Sequence, residues 1–145
     1  MTYTEHAISS SPGPAGSADW ANKVMGYALD ELKLPKDKVF FGIGLFGLEW
    51  QEKNGSFSGI EDDLTFDQVK KIVANNSARV EWDNQSESSH FHYSKNGNAH
   101  VVWFENSESV SARMKTAKKL GVGGVAFWRL GDEDPKVWDI IKQLK

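Results

Sequence analysis

Trp128 stands where an apolar run stops. Val125, Ala126 and Phe127 lead into it from Gly123 and Gly124, and Arg129 and then Asp132-Glu133-Asp134 follow. A short apolar run bounded by glycines reads as a parallel strand buried on both faces. The C-terminal end of such a strand is where α/β folds hold their ligands, so Trp128 is the first candidate for contact with one. Glu49 and Trp50 follow a second such run, Lys38 to Phe46 (KVFFGIGLF), which shows no alternation and reads as another strand buried on both sides. Glu49 reads there as a solvated carboxylate at a loop edge. His90 and His92 share one strand face, with His100 across a hairpin. Such a pair can ligate a metal, but no cysteine or well-placed carboxylate completes the set, and no metal is expected. The acidic run at 132–134 is explained by the helix it precedes, because negative charge is favourable at a helix N-terminus.

These residues need elements to position them. Met1 to Thr4 reads as a short strand and His6 to Gly16 as a loop rich in Ser, Pro and Gly. Ser17 caps a helix to about Leu32, with Trp20, Val24 and Leu32 on one face. From Gln51 the chain turns polar. Thr65 and Gln68 form a capping box for a helix to about Ala74. Arg79 to Asp83 alternates like a half-buried strand. Asn96-Gly97 between two aromatic runs signals a hairpin of 90–94 with 100–104. Ser107 opens a helix that Gly121 ends. Asp134-Pro135 starts a last helix whose inner face is Val137, Trp138, Ile141 and Leu144. The order is strand, helix, strand, inserted α+β unit, helix, strand, helix, which is an α/β arrangement of three β/α units with one insertion after the second strand.

Composition narrows the function. A chain of 145 residues is long enough for one domain with a core. A net charge of −3 argues against a nucleic-acid partner. There is no cysteine, so neither a disulfide framework nor thiolate chemistry is available. No apolar run approaches the ~20 residues that span a bilayer, and the N-terminus carries no recognisable signal peptide; no membrane partner is expected. Six Trp beside three Tyr and eight Phe is a surplus that fits either a large core or a sugar-binding surface.

Three segments carry a resemblance: MTYTEH…PGPAGSADW, then KVFFGIGLFGLEW, then HVVWFENSESVSARMKTAKKLGVGGVAFWRLGDED. Together they resemble the C-terminal part of glycoside hydrolase family 18 proteins, chitinase-like enzymes. The likeness is strongest to the bacterial spore-cortex and cell-wall N-acetylglucosaminidases. The resemblance implies a partial (β/α)8 TIM barrel, its last three β/α units. Residues 1–50 would hold strands six and seven, 51–103 an α+β insertion, and 104–145 the last two helices with strand eight. It implies substrate-assisted hydrolysis of N-acetylglucosamine-containing glycan, in which the sugar's own acetamido oxygen attacks the anomeric carbon. It implies no cofactor, and a secreted, cell-wall or spore-envelope location.

Residue by residue, Tyr3 matches the strand-six tyrosine that steadies the acetamido group, but Thr4 stands where the family has Asp. Trp128 matches the tryptophan that floors the subsite of the cleaved sugar. Glu49 and Trp50 fall at the end of strand seven, where the family has an aromatic-rich motif in which Phe46 here replaces a tyrosine. The proton donor lies in a D-x-x-D-x-D-x-E motif on strand four, and no such motif occurs in these residues. The expectation is therefore a chain without its own catalytic acid, which self-associates, pairs with an N-terminal barrel half, or serves as a non-catalytic carbohydrate-binding module.

Overall fold

A computed structural model describes residues 1–144 of the chain. Helix α1 (Ala18–Gly26) starts at Ser17, whose hydroxyl accepts from the Trp20 amide at 3.1 Å. A π-helical turn over Tyr27–Glu31 prolongs it. Strand β1 (Phe40–Gly44) pairs in parallel with β7 (Gly124–Trp128), with Gly44 opposite Trp128. Met1 to Thr4 is not a regular strand, but it lies along β1: the Thr2 amide and hydroxyl both donate to the Gly42 carbonyl, at 3.4 and 2.7 Å.

The core of this layer is built from one face of the pair. Phe41, Ile43 and Leu45 pack with Ala21 and Met25 of α1, with Val110 and Ala117 of α3 (Ser107–Leu120), and with Val137 of α4 (Val137–Leu144). Ile141 joins them, whereas Trp138, expected on the same inner face, is exposed with its indole N–H on Glu133 at 3.0 Å. The side chain of Leu144 lies outside the described residues. β1 is buried on both faces from Phe41 to Gly44, with Met1 and Tyr3 over Gly42 and Tyr3 over Gly44, as its apolar run implies, whereas β7 is not. Ala126 and Trp128 of β7 are exposed, and so is Phe40 of β1. The reason is that β1 and β7 form a sheet of two strands among the described residues, and only the face holding Phe41 and Ile43 is covered by helices.

The second layer is a five-stranded antiparallel sheet in the order β3-β2-β6-β5-β4. Its strands are β2 (Gly47–Lys53), β3 (Ser56–Leu64), β4 (Glu81–Asp83), β5 (Ser88–Lys95) and β6 (Asn98–Phe104). β2 begins at Gly47, ahead of the change in composition at Gln51, so the sheet grows directly out of the end of β1. The β2–β3 and β5–β6 hairpins turn on Asn-Gly pairs with positive φ, Asn54-Gly55 (53° and 79°) and Asn96-Gly97 (52° and 78°), the backbone that type I′ turns require. Helix α2 (Phe66–Asn76) has the expected capping box, Gln68 amide to Thr65 hydroxyl at 3.2 Å and Thr65 amide to Gln68 side chain at 2.7 Å. It covers one sheet face through Val69 on Phe91, Val102 and Phe104. The loop before α1 covers the other, with Ala15 on Leu48, Trp50 and Val101.

Candidate functional site

Alternation along β1 decides what stands at its end. Phe41, Ile43 and Leu45 face the helices, which leaves Gly42 and Gly44 on the opposite face. A Cβ on Gly44 would stand 3.0 Å from the Tyr3 Cβ, and one on Gly42 would stand 3.2 Å from the Tyr3 ring. The glycines therefore make room for Tyr3 to lie over the strand. Its ring meets Phe46 edge-on at 6.1 Å and 90°. On the other side of Gly44, Trp128 is its register partner, and the Trp128 carbonyl accepts from the Leu45 amide at 2.6 Å. The Trp128 side chain is 54% exposed. Tyr3 and Trp128 thus flank one glycine at the C-terminal end of the parallel pair, giving an open aromatic surface on a rigid backbone. An exposed tryptophan face beside a phenol suits the apolar face and hydroxyls of a sugar ring.

Glu49 and Trp50 are not brought to this surface. Trp50 is fully buried between the sheet and the loop, its indole N–H donating to the Ser10 carbonyl at 3.0 Å. Glu49 is no solvated loop carboxylate, because β2 is already a sheet strand at this point and its side chain points into the far face. There Glu49 accepts from the Tyr93 hydroxyl and pairs with His100 Nδ1 at 2.8 Å. Burial and the adjoining Glu49 push the Tyr93 hydroxyl well above its ordinary range. His100 is also separated from the other two histidines, which lie on the opposite face. His90 stacks on Trp103 at 4.4 Å and meets His92 edge-on at 5.8 Å. Among the described residues no group of three His, Asp or Glu could hold a metal ion.

The acidic run at 132–134 has three separate duties, of which the helix start is one. Asp134 accepts from the amides of Ser107 and Lys136, at 3.0 and 3.1 Å, and so joins the starts of α3 and α4. Glu133 accepts from Gly131. Asp132 takes the Arg129 Nε at 2.7 Å, while the same guanidinium reaches Asp63 at 2.8 Å. Arg129 therefore ties the loop after Trp128 to the end of β3, a contact for which the sequence carries no local signal.

Two more buried charges escaped the sequence reading. Arg113, 3% exposed, donates to the carbonyls of Gly16 and Ser86 at 2.7 and 2.8 Å and to the Ser88 hydroxyl at 3.1 Å. Its spacing from Val110 and Ala117, three and four residues away on one helix face, was the available signal. Glu105 is 7% exposed. Burial pushes its carboxyl above the ordinary 4.5, against the pull of the Arg113 charge and the Ser109 hydroxyl. An acid whose pKa rises on folding stabilises the fold while protonated, and the contribution is lost as pH climbs through the folded value. Glu105→Gln should match the natural chain in urea midpoint near pH 4 and exceed it near pH 7. A midpoint difference that is constant across that range would refute the assignment.

The family model Glycosyl hydrolases family 18 matches residues 1–134. The chain is 31% identical over 144 residues to the glycosylase YvbX of Bacillus subtilis (strain 168), covering 99% of this chain and 40% of that protein. It is 28% identical over 124 residues to the cortical fragment-lytic enzyme of Bacillus anthracis, covering 82% of this chain and 27% of that one. The crystal structure of a chitinase from Chromobacterium violaceum ATCC 12472 superposes with a TM-score of 0.87 at 29% identity, over 99% of this chain and 44% of the other. The chain thus spans less than half the length of these relatives.

Proposed function

The chain belongs to glycosyl hydrolases family 18, and from that premise we propose that it forms the last three β/α units of a (β/α)8 barrel that hydrolyses N-acetylglucosamine-containing glycan, peptidoglycan before chitin. Residues 1–46 supply the Met1–Thr4 segment, a helix and β1 of that barrel, 47–104 the inserted wall, which starts at Gly47 and not at 51, and 105–144 the closing helices and last strand. The observation that carries the reading is the placement of Tyr3 and Trp128 on either side of Gly44, at the strand end where barrels of this kind work. Trp128 is the floor on which the sugar ring lies, and the Tyr3 hydroxyl faces its acetamido group. Glu49 and Trp50 serve the wall from within: one closes a buried polar network and the other anchors the loop over the sheet.

A family 18 reaction is substrate-assisted, so the protein's tasks are to hold the acetamido oxygen against the anomeric carbon and to protonate the leaving oxygen. The residues of this chain perform the first task. Since no D-x-x-D-x-D-x-E motif is among them, the second falls to residues elsewhere in the barrel. The rival reading, a carbohydrate-binding module, is favoured by the same exposure of Trp128. Titration with chitooligosaccharides, followed by tryptophan fluorescence, tests the shared premise. Saturable binding is expected, and Trp128→Ala should weaken it by about thirty-fold, the ~2 kcal/mol of a buried aromatic anchor. Binding that survives the substitution unchanged removes Trp128 from the site.

A further inference from the structure

Glu105 raises a question that the proposed reaction leaves open. Its buried Oε2 has no hydrogen-bond partner in the protein, a costly arrangement that native proteins relieve with internal water. Behind Tyr3 lies a cavity of about 10 Å3 whose wall includes Thr2, Tyr3, Gly16, Gly44, Glu105 and Arg113. That is about the smallest space that admits one water molecule. The wall supplies further polar groups, the main chain of Thr2 and Gly16 and the Arg113 guanidinium. Arg113 does not close on Glu105. Its Nη2 is engaged by Gly16, Ser86 and Ser88, and its Nη1 lies 3.4 Å from Glu87. The Tyr3 segment is tied at its ends, by Thr2 to Gly42 and by the Glu5 amide to the Ala15 carbonyl at 2.8 Å with the Ser17 amide on the Glu5 carboxylate at 2.6 Å; between them the ring rests on Phe46, whose carbonyl accepts from the Glu105 amide at 3.2 Å.

We propose that Glu105 is a positioning residue for Tyr3, acting through a single water molecule held in the cavity behind that tyrosine. The water accepts or donates at Glu105 Oε2 and reaches the main chain of the Tyr3 segment, so the carboxyl group fixes the segment without touching the sugar. Gln at this position keeps polar atoms directed into the cavity. Met keeps the size and removes them.

Two measurements on the chain itself decide the matter. A crystal structure resolving ordered solvent should hold one water at hydrogen-bond distance from Glu105 Oε2, and the same water in Glu105→Gln. Amide exchange of Thr2, which is bonded to Gly42, should quicken about tenfold in Glu105→Met and stay near its original rate in Glu105→Gln. The Val69 amide in α2 should be unmoved in both, which separates positioning from general loss of stability. A dry cavity, a direct Glu105–Arg113 pair, or equal acceleration of Thr2 and Val69 each overturns the proposal. If Glu105→Met does not fold, the solvent structure of the natural chain and of Glu105→Gln still decides it. Only the consequence for the acetamido group rests on the glycosidase reading, and these two readouts hold whether or not the chain binds sugar.

Discussion

The chain alone should turn over no chromogenic N-acetylglucosaminide, and co-expression with an upstream barrel half carrying the D-x-x-D-x-D-x-E motif should raise hydrolysis by at least ~10²–10⁴-fold, the usual worth of a placed general acid. The acidic residues nearest the Tyr3–Trp128 surface are buried or have other work: Glu105 is enclosed behind Tyr3, out of reach of a sugar on Trp128, and Glu5 accepts from the Ser17 amide at 2.6 Å. Asp132 holds Arg129, Asp134 holds two helix-start amides, and Glu133 holds the Gly131 amide. Glu49 lies on the far sheet face under Tyr93 and His100. None is free to protonate a glycosidic oxygen above Trp128. The same experiment bears on the partner. Beside Trp128, Ala126, Leu130 and Phe40 are exposed on and around the β1–β7 pair, an apolar margin that a further barrel half would cover. A second copy of the chain could cover the margin but would bring no acid, so self-association without turnover distinguishes the two partners. Turnover by the chain alone that Glu49→Gln abolishes would overturn this account of the missing acid.

The residues that the sequence reading recovered well were those with a local cause. Ser17, Thr65 with Gln68, and Asn96-Gly97 each act within a few residues of themselves, and each does in the structure what its type and spacing require. The failures have causes too. The run ending at Trp128 reads as buried on both faces, but Ala126 and Trp128 lie open because only the opposite face of β7 is packed among the described residues, whereas β1 is buried from Phe41 to Gly44. β3 escaped because it is a solvent-facing edge strand of mostly polar residues, although Asn54-Gly55 marks its turn as plainly as Asn96-Gly97 marks the other. Glu49 and Trp50 read from sequence as a strand end because nothing local reveals that β1 passes into β2 after only Leu45 and Phe46. Of the four sugar-contact candidates, the structure sets Tyr3 and Trp128 side by side. Both lie beside Gly44, a pairing that depends on contacts between distant parts of the chain.

That dependence makes Gly16→Ala the most damaging small substitution in the chain. A Cβ at Gly16 would stand 1.8 Å from the Thr2 carbonyl oxygen, 2.8 Å from its carbon and 3.0 Å from the Tyr3 Cα. All three obstacles are backbone, and neither side can yield cheaply. Thr2 is held to Gly42 by two hydrogen bonds, and the Gly16 carbonyl accepts from buried Arg113 at 2.7 Å. Overpacking of a fixed site costs ~1–3 kcal/mol and occasionally more; here the upper end is expected, a fall in Tm of roughly 10 °C. Gly59→Ala is the informative comparison. Its Cβ would stand 2.3 Å from both the Cβ and the carbonyl oxygen of Ile8, but the Ile8 stretch is exposed and closed on itself by the Ser10 amide to Ala7 carbonyl bond, so it can shift as a piece about its single tie to Trp50. The loss there should be a small fraction of the Gly16 effect. Melting curves of the two variants, with the fluorescence titration repeated on each, separate a rigid contact from a yielding one. Gly16→Ala should lose sugar affinity along with stability, because the methyl group pushes Tyr3 away from Gly44, whereas Gly59→Ala should keep both. If the two variants melt within ~2 °C of each other, the Thr2–Gly16 contact is softer than its hydrogen bonds imply, and Tyr3 is not fixed in the way the role proposed for it beside Trp128 demands.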